Sequence, residues 1–196
     1  MEDIKKKKLF LRTDVEVRLK KLTPFEASQK LRKIEDRLFD FANFMEAKTV
    51  LFYLAEIGSV ATENILKQLL LLEKTLVLPL FREEKPGVKL FKIETLNRDI
   101  IEGSQPEIKI PNASRCKELP VEMIDIAFIP GIVFDEKGNR IGQGLGRYDY
   151  LIPRLPLTTR KVALAFEEQV VSQVITDSFD KAVDIIITDQ RILYKI

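Results

Sequence analysis

Residues 124–149 read IDIAFIPGIVFDEKGNRIGQGLGRYD, and the fold class follows from their pattern. It opens with a nearly continuous apolar run, Ile124 to Ile129, which is typical of a strand buried on both faces of a parallel sheet. Five of the eight glycines in the chain follow between Gly131 and Gly146. Ligands of α/β folds bind at the carboxyl ends of the strands, where such loops lie. The stretch therefore predicts a parallel sheet with a ligand-binding loop.

Strand patterns of the same kind continue on both sides of this stretch. Short apolar runs predict buried strands, and an alternating run at 88–93 predicts a hairpin with its neighbour through a turn at Lys85-Pro86-Gly87. A last run at 191–194 predicts an edge strand. The buried-strand runs lie at residues 49–54, 75–81, 161–166 and 183–188.

Helical patterns separate these strands. Residues 5–19 have helix-forming composition, and Thr23-Pro24-Phe25-Glu26 is a capping box that starts a second helix ending near Glu46. A third helix is expected at 62–72, and residues 97–120 have no periodicity, which predicts a long ordered loop. The fold class that follows is α/β: a three-layer sandwich with a mostly parallel central sheet and helices on both faces, in one domain over residues 1–196.

Composition excludes several functions. The chain has no histidine, so it lacks the usual general base at neutral pH and the commonest zinc ligand. Cys116 stands alone, which excludes an intrachain disulfide and favours a reducing compartment. The composition still allows a hard cation held by oxygen ligands, and it allows reactions that depend on positioning and charge neutralisation. Phosphoryl transfer with magnesium is such a reaction.

Charge and hydropathy limit the partners. The net charge is +2, and residues 1–21 hold eight Lys or Arg against four Asp or Glu, so only the N-terminus is basic. A nucleic-acid protein needs a broader basic face, whereas a local anion site explains this distribution. No apolar run approaches the roughly 20 residues of a membrane span, and no secretory signal follows the lysine run. A cytoplasmic, monomeric protein that acts on small molecules, with neither nucleic acid nor membrane as partner, is the expectation.

The glycine loop itself predicts phosphate binding. Glycine permits positive φ and close backbone approach, so successive amides can surround phosphate oxygens, with Arg140 or Arg147 as the charged partner. The loop matches neither the Walker A pattern nor the dinucleotide fingerprint. A β-turn at Lys137-Gly138-Asn139 followed by a flexible connection is the alternative that spacing alone leaves open.

Residues 129–149 resemble the signature of 5-formyltetrahydrofolate cyclo-ligases, also called 5,10-methenyltetrahydrofolate synthetases. Further segments agree in order and spacing, so that the resemblance spans nearly the whole chain: Lys8-x-x-x-Arg12, residues 162–169 (VALAFEEQ) and Val183-Asp184. The resemblance implies that ATP phosphorylates the formyl oxygen of 5-formyltetrahydrofolate, N10 attacks the activated carbon, and 5,10-methenyltetrahydrofolate forms with release of ADP and phosphate.

The resemblance also implies a nucleotide site. Lys8 and Arg12 lie one helical turn apart, so they share a face that could reach the phosphates, although a lysine run at an N-terminus is commonly a solvated end. Tyr148 is implied at both ATP and the folate, with a packing aromatic as the alternative. The implied ATP-binding residues are Lys8, Arg12, Arg140, Ile141, Gly142, Gln143, Gly144, Leu145, Gly146, Arg147 and Tyr148.

For Mg²⁺ the resemblance implies Asp149 and Asp184. Without it, Asp149 is a carboxylate at a helix N-terminus and Asp184 an acid flanking a strand. Two departures from the family pattern concern the substrates. Leu145 stands where many members have a lysine, and Arg147 is the candidate replacement. Glu56 is the nearest acid upstream of Ser59-Val-Ala-Thr62, the stretch that corresponds to the one where the family has its folate-binding Glu.

We expect the folate pocket to include Phe52, Tyr53 and Tyr148. A different class of function, a non-catalytic nucleotide or sugar-phosphate sensor on a similar α/β sandwich, is motivated by the same altered positions. It predicts nucleotide binding without turnover, whereas the ligase predicts formation of ADP.

Overall fold

The computed structural model describes residues 2–55, 58–82, 87–104 and 108–195. Its helices are α1 (Glu2–Lys20), α2 (Pro24–Phe39), α3 (Ala42–Glu46), α4 (Glu63–Leu71), α5 (Leu96–Asp99) and α6 (Arg147–Leu151). Its strands are β1 (Thr49–Leu51), β2 (Thr75–Phe81), β3 (Val88–Ile93), β4 (Ile100–Glu102), β5 (Lys109–Pro111), β6 (Glu118–Leu119), β7 (Ile126–Phe128), β8 (Val133–Asp135), β9 (Arg140–Ile141), β10 (Arg160–Ala165), β11 (Val170–Val171), β12 (Ile185–Thr188) and β13 (Ile192–Tyr194).

The central sheet has the strand order β13-β12-β10-β7-β1-β2-β3-β6. The five middle strands, β12 to β2, are parallel, and the remaining pairs are antiparallel. The chain steps from β1 to β2 in one direction and from β7 to β10 and β12 in the other. Because parallel crossovers are right-handed, these connections cover opposite faces of the sheet. The predicted α/β class with a mostly parallel central sheet is confirmed.

Several predicted elements are confirmed. The capping box at Thr23 has both of its hydrogen bonds, and β2 pairs with β3 as the predicted hairpin, although Lys85 and Pro86 of its turn lie outside the described residues. The edge strand near the C-terminus is β13. Its pairing with β12 closes that side of the sheet.

The second helix is shorter than predicted. It ends at Phe39, where the Asp40 amide caps it by donating to the carbonyls of Asp36 and Leu38, and α3 follows after an extended Phe41. Phe41 and Phe44 are both buried, so the helical spacing of apolar residues continues across this break.

The predicted loop at 97–120 is wrong. It contains α5, the β4–β5 hairpin and the edge strand β6. The start of this region is held by the buried carboxylate of Asp99, which accepts from the backbone amides of Glu94 and Thr95 at 2.8 Å. Strands of two or three residues are too short to show periodicity in a sequence.

The described residues form two apolar clusters. The larger fills the space around the central sheet, from Ile34 on α2 to Ile187 on β12. The smaller joins Val15 on α1 to Val133 and Ile141 of the β11-β8-β9 sheet, with Leu11 packed beside them. This second cluster places α1 next to the glycine loop. No helix among the described residues is long and apolar enough to span a membrane.

Candidate active site

A cavity of about 440 Å³ lies at the carboxyl ends of β1 and β7. Ser59 in the connection after β1 and Pro130, Gly131 and Ile132 directly after β7 form one wall of it. The chain leaves these neighbouring strands in opposite directions, which makes this edge the topological switch point of the sheet. Open α/β sheets bind ligands at this position.

The glycine loop forms another wall, and it starts from a rigid turn. The buried carboxylate of Asp135 accepts from the amides of Lys137 and Asn139 at 3.0 Å, which closes the β8–β9 hairpin. Gly138 has φ +79°, and a Cβ there would lie 2.2 Å from the carbonyl oxygen of Val183. The β-turn at 137–139 is therefore present, and the loop continues beyond it to the cavity.

Arg140 lies at the base of the loop and is 4% exposed. One guanidinium nitrogen donates to Asp149 Oδ1 at 2.9 Å and the other to the carbonyl of Pro130 at 3.3 Å. Burial lowers the pKa of Arg140 from its ordinary value, against the charge of Asp149. Its Nε–H has no acceptor among the described residues. Arg140 thus connects both walls of the cavity, since it bonds to Pro130 on one and to Asp149 on the other.

The helix α1 brings three cations to the cavity, Lys5, Lys8 and Arg12. Arg12 Nε donates to the carbonyl of Gly142 at 2.8 Å, so this side chain supports the glycine loop from outside. Burial lowers the pKa of Arg12, and the charge of Asp180 opposes that shift. Lys8, one turn earlier, is paired with Asp177 at 2.9 Å and with Asp180. Burial favours its neutral form, but the hydrogen bonds and charges of the two aspartates outweigh it and raise the pKa of Lys8.

The turn at 177–180 was missed from the sequence. Asp177, Phe179 and Asp180 all line the cavity. The Asp177 amide donates to Asp180 Oδ2 at 2.7 Å, and the Phe179 amide donates to Asp177 Oδ1 at 2.9 Å. The hydrogen bond from Lys8 is the largest of the causes that lower the pKa of Asp177. Two aspartates three residues apart indicate a turn, but nothing local in the sequence places them opposite α1.

Aromatic side chains close the far side of the loop. Tyr148 is 8% exposed and packs edge-to-face on Phe81 with ring centroids 5.0 Å apart. The guanidinium of Arg147 lies 5.9 Å from the Phe81 ring, and Leu145 is exposed. Arg147 and Leu145 both line the cavity on this side, the first with a cation and the second with an apolar side chain.

All eleven residues predicted for the nucleotide line this one cavity, and so does Asp149. Asp184 does not line it. Its Oδ2 accepts from the backbone amide of Lys161 at 2.9 Å and pairs with the Lys161 side chain at 3.1 Å, at the amino end of β12. The structure does not bring the two predicted metal ligands together in the cavity. Glu56 lies outside the described residues.

The expected folate pocket at Phe52 and Tyr53 is wrong. Both side chains are buried in the core, stacked on each other at 5.3 Å, and Phe52 stacks on Phe128 at 4.5 Å. Both residues directly follow β1, where the chain is still packed into the core. Ser59, further along the same connection, lines the cavity.

Comparisons with known proteins agree with the resemblance seen in the sequence. The model of the 5-formyltetrahydrofolate cyclo-ligase family matches residues 4–189. The chain is 25% identical over 181 residues to the 5-formyltetrahydrofolate cyclo-ligase of Mus musculus, covering 89% of each chain. It is 26% identical to the Haemophilus influenzae protein of the same name, covering 87% of this chain and 91% of the relative.

A solved structure extends the likeness to three dimensions. The NMR structure of Aquifex aeolicus 5,10-methenyltetrahydrofolate synthetase superposes with a TM-score of 0.81 and 27% identity, covering 95% of this chain and 92% of that one. Family match, relatives and superposition all run across the glycine loop and the strands that carry it. The chain belongs to the 5-formyltetrahydrofolate cyclo-ligase family.

Proposed function

We propose that this chain converts 5-formyltetrahydrofolate to 5,10-methenyltetrahydrofolate with ATP and Mg²⁺, releasing ADP and phosphate. Family membership supports the reaction, and the cavity at the switch point supports its location. We also propose that residues 1–196 act as one domain of this family, because the larger apolar cluster includes residues from α2 to β12.

The charge of the cavity is the observation that carries the proposal. Its described lining holds five Lys or Arg side chains and three Asp, a formal net charge of +2, beside a loop with two glycines in the left-handed region, Gly144 and Gly146. A triphosphate with one divalent cation has the complementary sign of charge. In phosphoryl transfer the protein contributes mainly positioning and neutralisation, which matches a site without histidine.

The proposed reaction has two bond exchanges. The formyl oxygen attacks the γ-phosphorus, a new O–P bond forms, and the bond to ADP breaks. The nitrogen N10 then attacks the activated formyl carbon and loses its proton, while the C–O bond breaks and phosphate leaves. Arg12, Arg140 and Lys8 are proposed to neutralise the transferred phosphoryl group. The loop amides hold that group in line, which supplies much of the acceleration.

The described residues fit Mg²⁺ only with help from the nucleotide. They contain no group of three or more His, Cys, Asp or Glu side chains placed to hold a metal. Mg²⁺ is commonly bound by one or two carboxylates together with substrate phosphates. Asp149 is the proposed carboxylate, because its Oδ1 is engaged by Arg140 and the Lys181 amide and Oδ2 accepts none of the bonds described. When bound, the ion would neutralise charge on the transferred phosphoryl group.

The variant Asp149→Asn tests this assignment. If Asp149 holds the ion, the half-saturating Mg²⁺ concentration rises about tenfold or more at fixed ATP. If the carboxylate serves only as the partner of Arg140, the Mg²⁺ requirement stays at the wild-type value while stability falls. Asp184→Asn is the matched control, since this residue does not line the cavity.

The folate is proposed to lie on the side of Ser59 and Tyr148, with Glu56 as a candidate ligand. The overall reaction is tested by incubating the protein with 5-formyltetrahydrofolate, MgATP, or both. We expect methenyltetrahydrofolate and ADP in equal amounts only when both are present. Binding of ATP with no ADP formed would reject the ligase and leave the sensor.

A further inference from the structure

Gln169 is a completely buried polar residue outside the cavity lining. Its Oε1 accepts from the backbone amide of Phe166 at 2.9 Å, which determines the orientation of the side-chain amide. Its Nε2 donates to the carbonyls of Gly58 and Ile132 at 3.0 Å and of Gly131 at 3.3 Å. An NH₂ group has two hydrogens, so these three acceptors share both of them.

The three acceptors belong to the two loops that meet at the switch point. Gly58 follows β1, while Gly131 and Ile132 follow β7 and line the cavity. Gln169 itself follows β10, the other neighbour of β7. One side chain therefore joins the carboxyl ends of three adjacent parallel strands.

These two loops are also packed closely on each other. Gly58 has φ +80°, and a Cβ at this position would lie 3.4 Å from the Ile132 side chain. The loop after β1 therefore lies directly against the wall formed by 130–132. The hydrogen bond to the Gly131 carbonyl is buried and those to Gly58 and Ile132 are partly buried. A buried acceptor left without its donor costs free energy.

We propose that Gln169 is a positioning residue that fixes the loop after β1 relative to the cavity wall formed by residues 130–132 after β7. The inference rests on the proposed function, which places the folate beside Ser59 and the phosphates beside the glycine loop. Phosphoryl transfer needs the reacting atoms about 3–3.5 Å apart, and a misplacement of about 1 Å costs roughly 100-fold in rate. Loss of Gln169 should reduce turnover far more than it reduces ATP affinity.

The first test is Gln169→Met, which keeps the length of the side chain and removes all four hydrogen bonds. Its matched control is Gln173→Met, at an exposed glutamine on the same segment. We expect kcat to fall about 10- to 100-fold, with a raised KM for 5-formyltetrahydrofolate and a dissociation constant for MgATP within about threefold of wild type. The control should keep wild-type kinetics.

A second variant separates positioning from general stability. Gln169→Glu keeps the acceptor for the Phe166 amide but directs a carboxylate at three carbonyls. Burial beside these oxygens should raise the pKa of the introduced carboxyl group, and its protonated form regains one donor. Activity relative to wild type should therefore recover as the pH is lowered in Gln169→Glu and not in Gln169→Met.

Hydrogen exchange provides a readout that does not depend on turnover. In Gln169→Met, amides at 58–62 and 131–134 should exchange faster, while those of β2 and β3 stay protected. Wild-type kinetics and exchange in both variants would overturn the proposal. The proposal would also be overturned if the loss of activity equalled the fraction of unfolded protein and exchange were faster throughout the chain. Gln169 would then only stabilise the fold. If the wild-type protein does not turn over, the proposed function fails, and exchange still decides the role of Gln169.

Discussion

Replacing Arg140 by methionine tests whether this residue connects the walls of the cavity. The substitution removes a buried guanidinium from Asp149 and Pro130 and leaves the Asp149 carboxylate with one backbone donor, the Lys181 amide. Breaking a buried ion pair costs about 3–5 kcal/mol. Because the Asp149 side chain is 24% exposed and keeps the Lys181 bond, we expect about 2–3 kcal/mol. For a chain of this size that lowers Tm by about 4–12 °C.

The assay is a double-mutant cycle measured by chemical unfolding. Arg140→Met leaves the Asp149 carboxylate without its ion-pair partner, and Asp149→Asn removes that charge. The double variant should therefore be more stable, by about 1–2 kcal/mol, than the sum of the two separate losses predicts. Arg18→Met is the control, since Arg18 pairs with Asp14 on the exposed surface of α1 and should cost less than about 1 kcal/mol. Additive losses, or a cost for Arg140→Met no larger than for the control, would refute the connecting role. MgATP affinity should fall only in the Arg140 variants and in Asp149→Asn.

Three further predictions follow from single contacts. Lys8→Met should raise the KM for ATP about tenfold or more, because the phosphates lose a cation and then face two aspartates whose charge Lys8 no longer neutralises. Lys7→Met is the control at an exposed neighbour and should leave the KM for ATP unchanged. Equal KM values for the two variants would contradict a role of Lys8 at the phosphates. Gly138→Ala should lower the unfolding free energy by at least about 1–2 kcal/mol, because its Cβ would collide with the Val183 carbonyl at a positive φ; wild-type stability would disprove the tight turn. Burial tends to raise the pKa of Asp99, but two backbone amides and an arginine outweigh it and lower that pKa from 3.8. The stabilisation of the fold by the Asp99 carboxylate is therefore complete above pH 3.8 and is lost as the pH falls through the lowered pKa of Asp99. The difference in unfolding free energy between wild type and Asp99→Asn should shrink in acid and not in base.

The sheet was predictable wherever a strand is long or fully apolar. The runs at 75–81 and 88–93 coincide with β2 and β3, because alternation and β-branched composition report burial directly. The helix break after Phe39 was not predictable. Phe41 and Phe44 keep the helical spacing of apolar residues across it, so the sequence pattern does not reveal that the helix is interrupted.

The site was predictable where its residues are contiguous. The glycines of the loop from Arg140 to Asp149 favour a close backbone approach to a ligand, and the resemblance added Lys8 and Arg12 from α1. The turn at 177–180 carries no local signal, and Gln169 was included in the resemblance at 162–169 without a role, because both act through tertiary contacts near the switch point. The pairing of Asp184 with Lys161 depends likewise on which end of β12 the residue occupies, and that follows from topology alone.

The fate of the formyl oxygen shows whether ATP activates the formyl group in the proposed reaction. With 5-formyltetrahydrofolate labelled with ¹⁸O in the formyl group, the proposed route through the glycine-loop cavity transfers the label to the phosphate that is released. Mass analysis after a single turnover should find one ¹⁸O in each phosphate, and the Arg140→Met variant should form this labelled phosphate far more slowly. Unlabelled phosphate accompanying methenyltetrahydrofolate would contradict activation of the formyl oxygen by ATP.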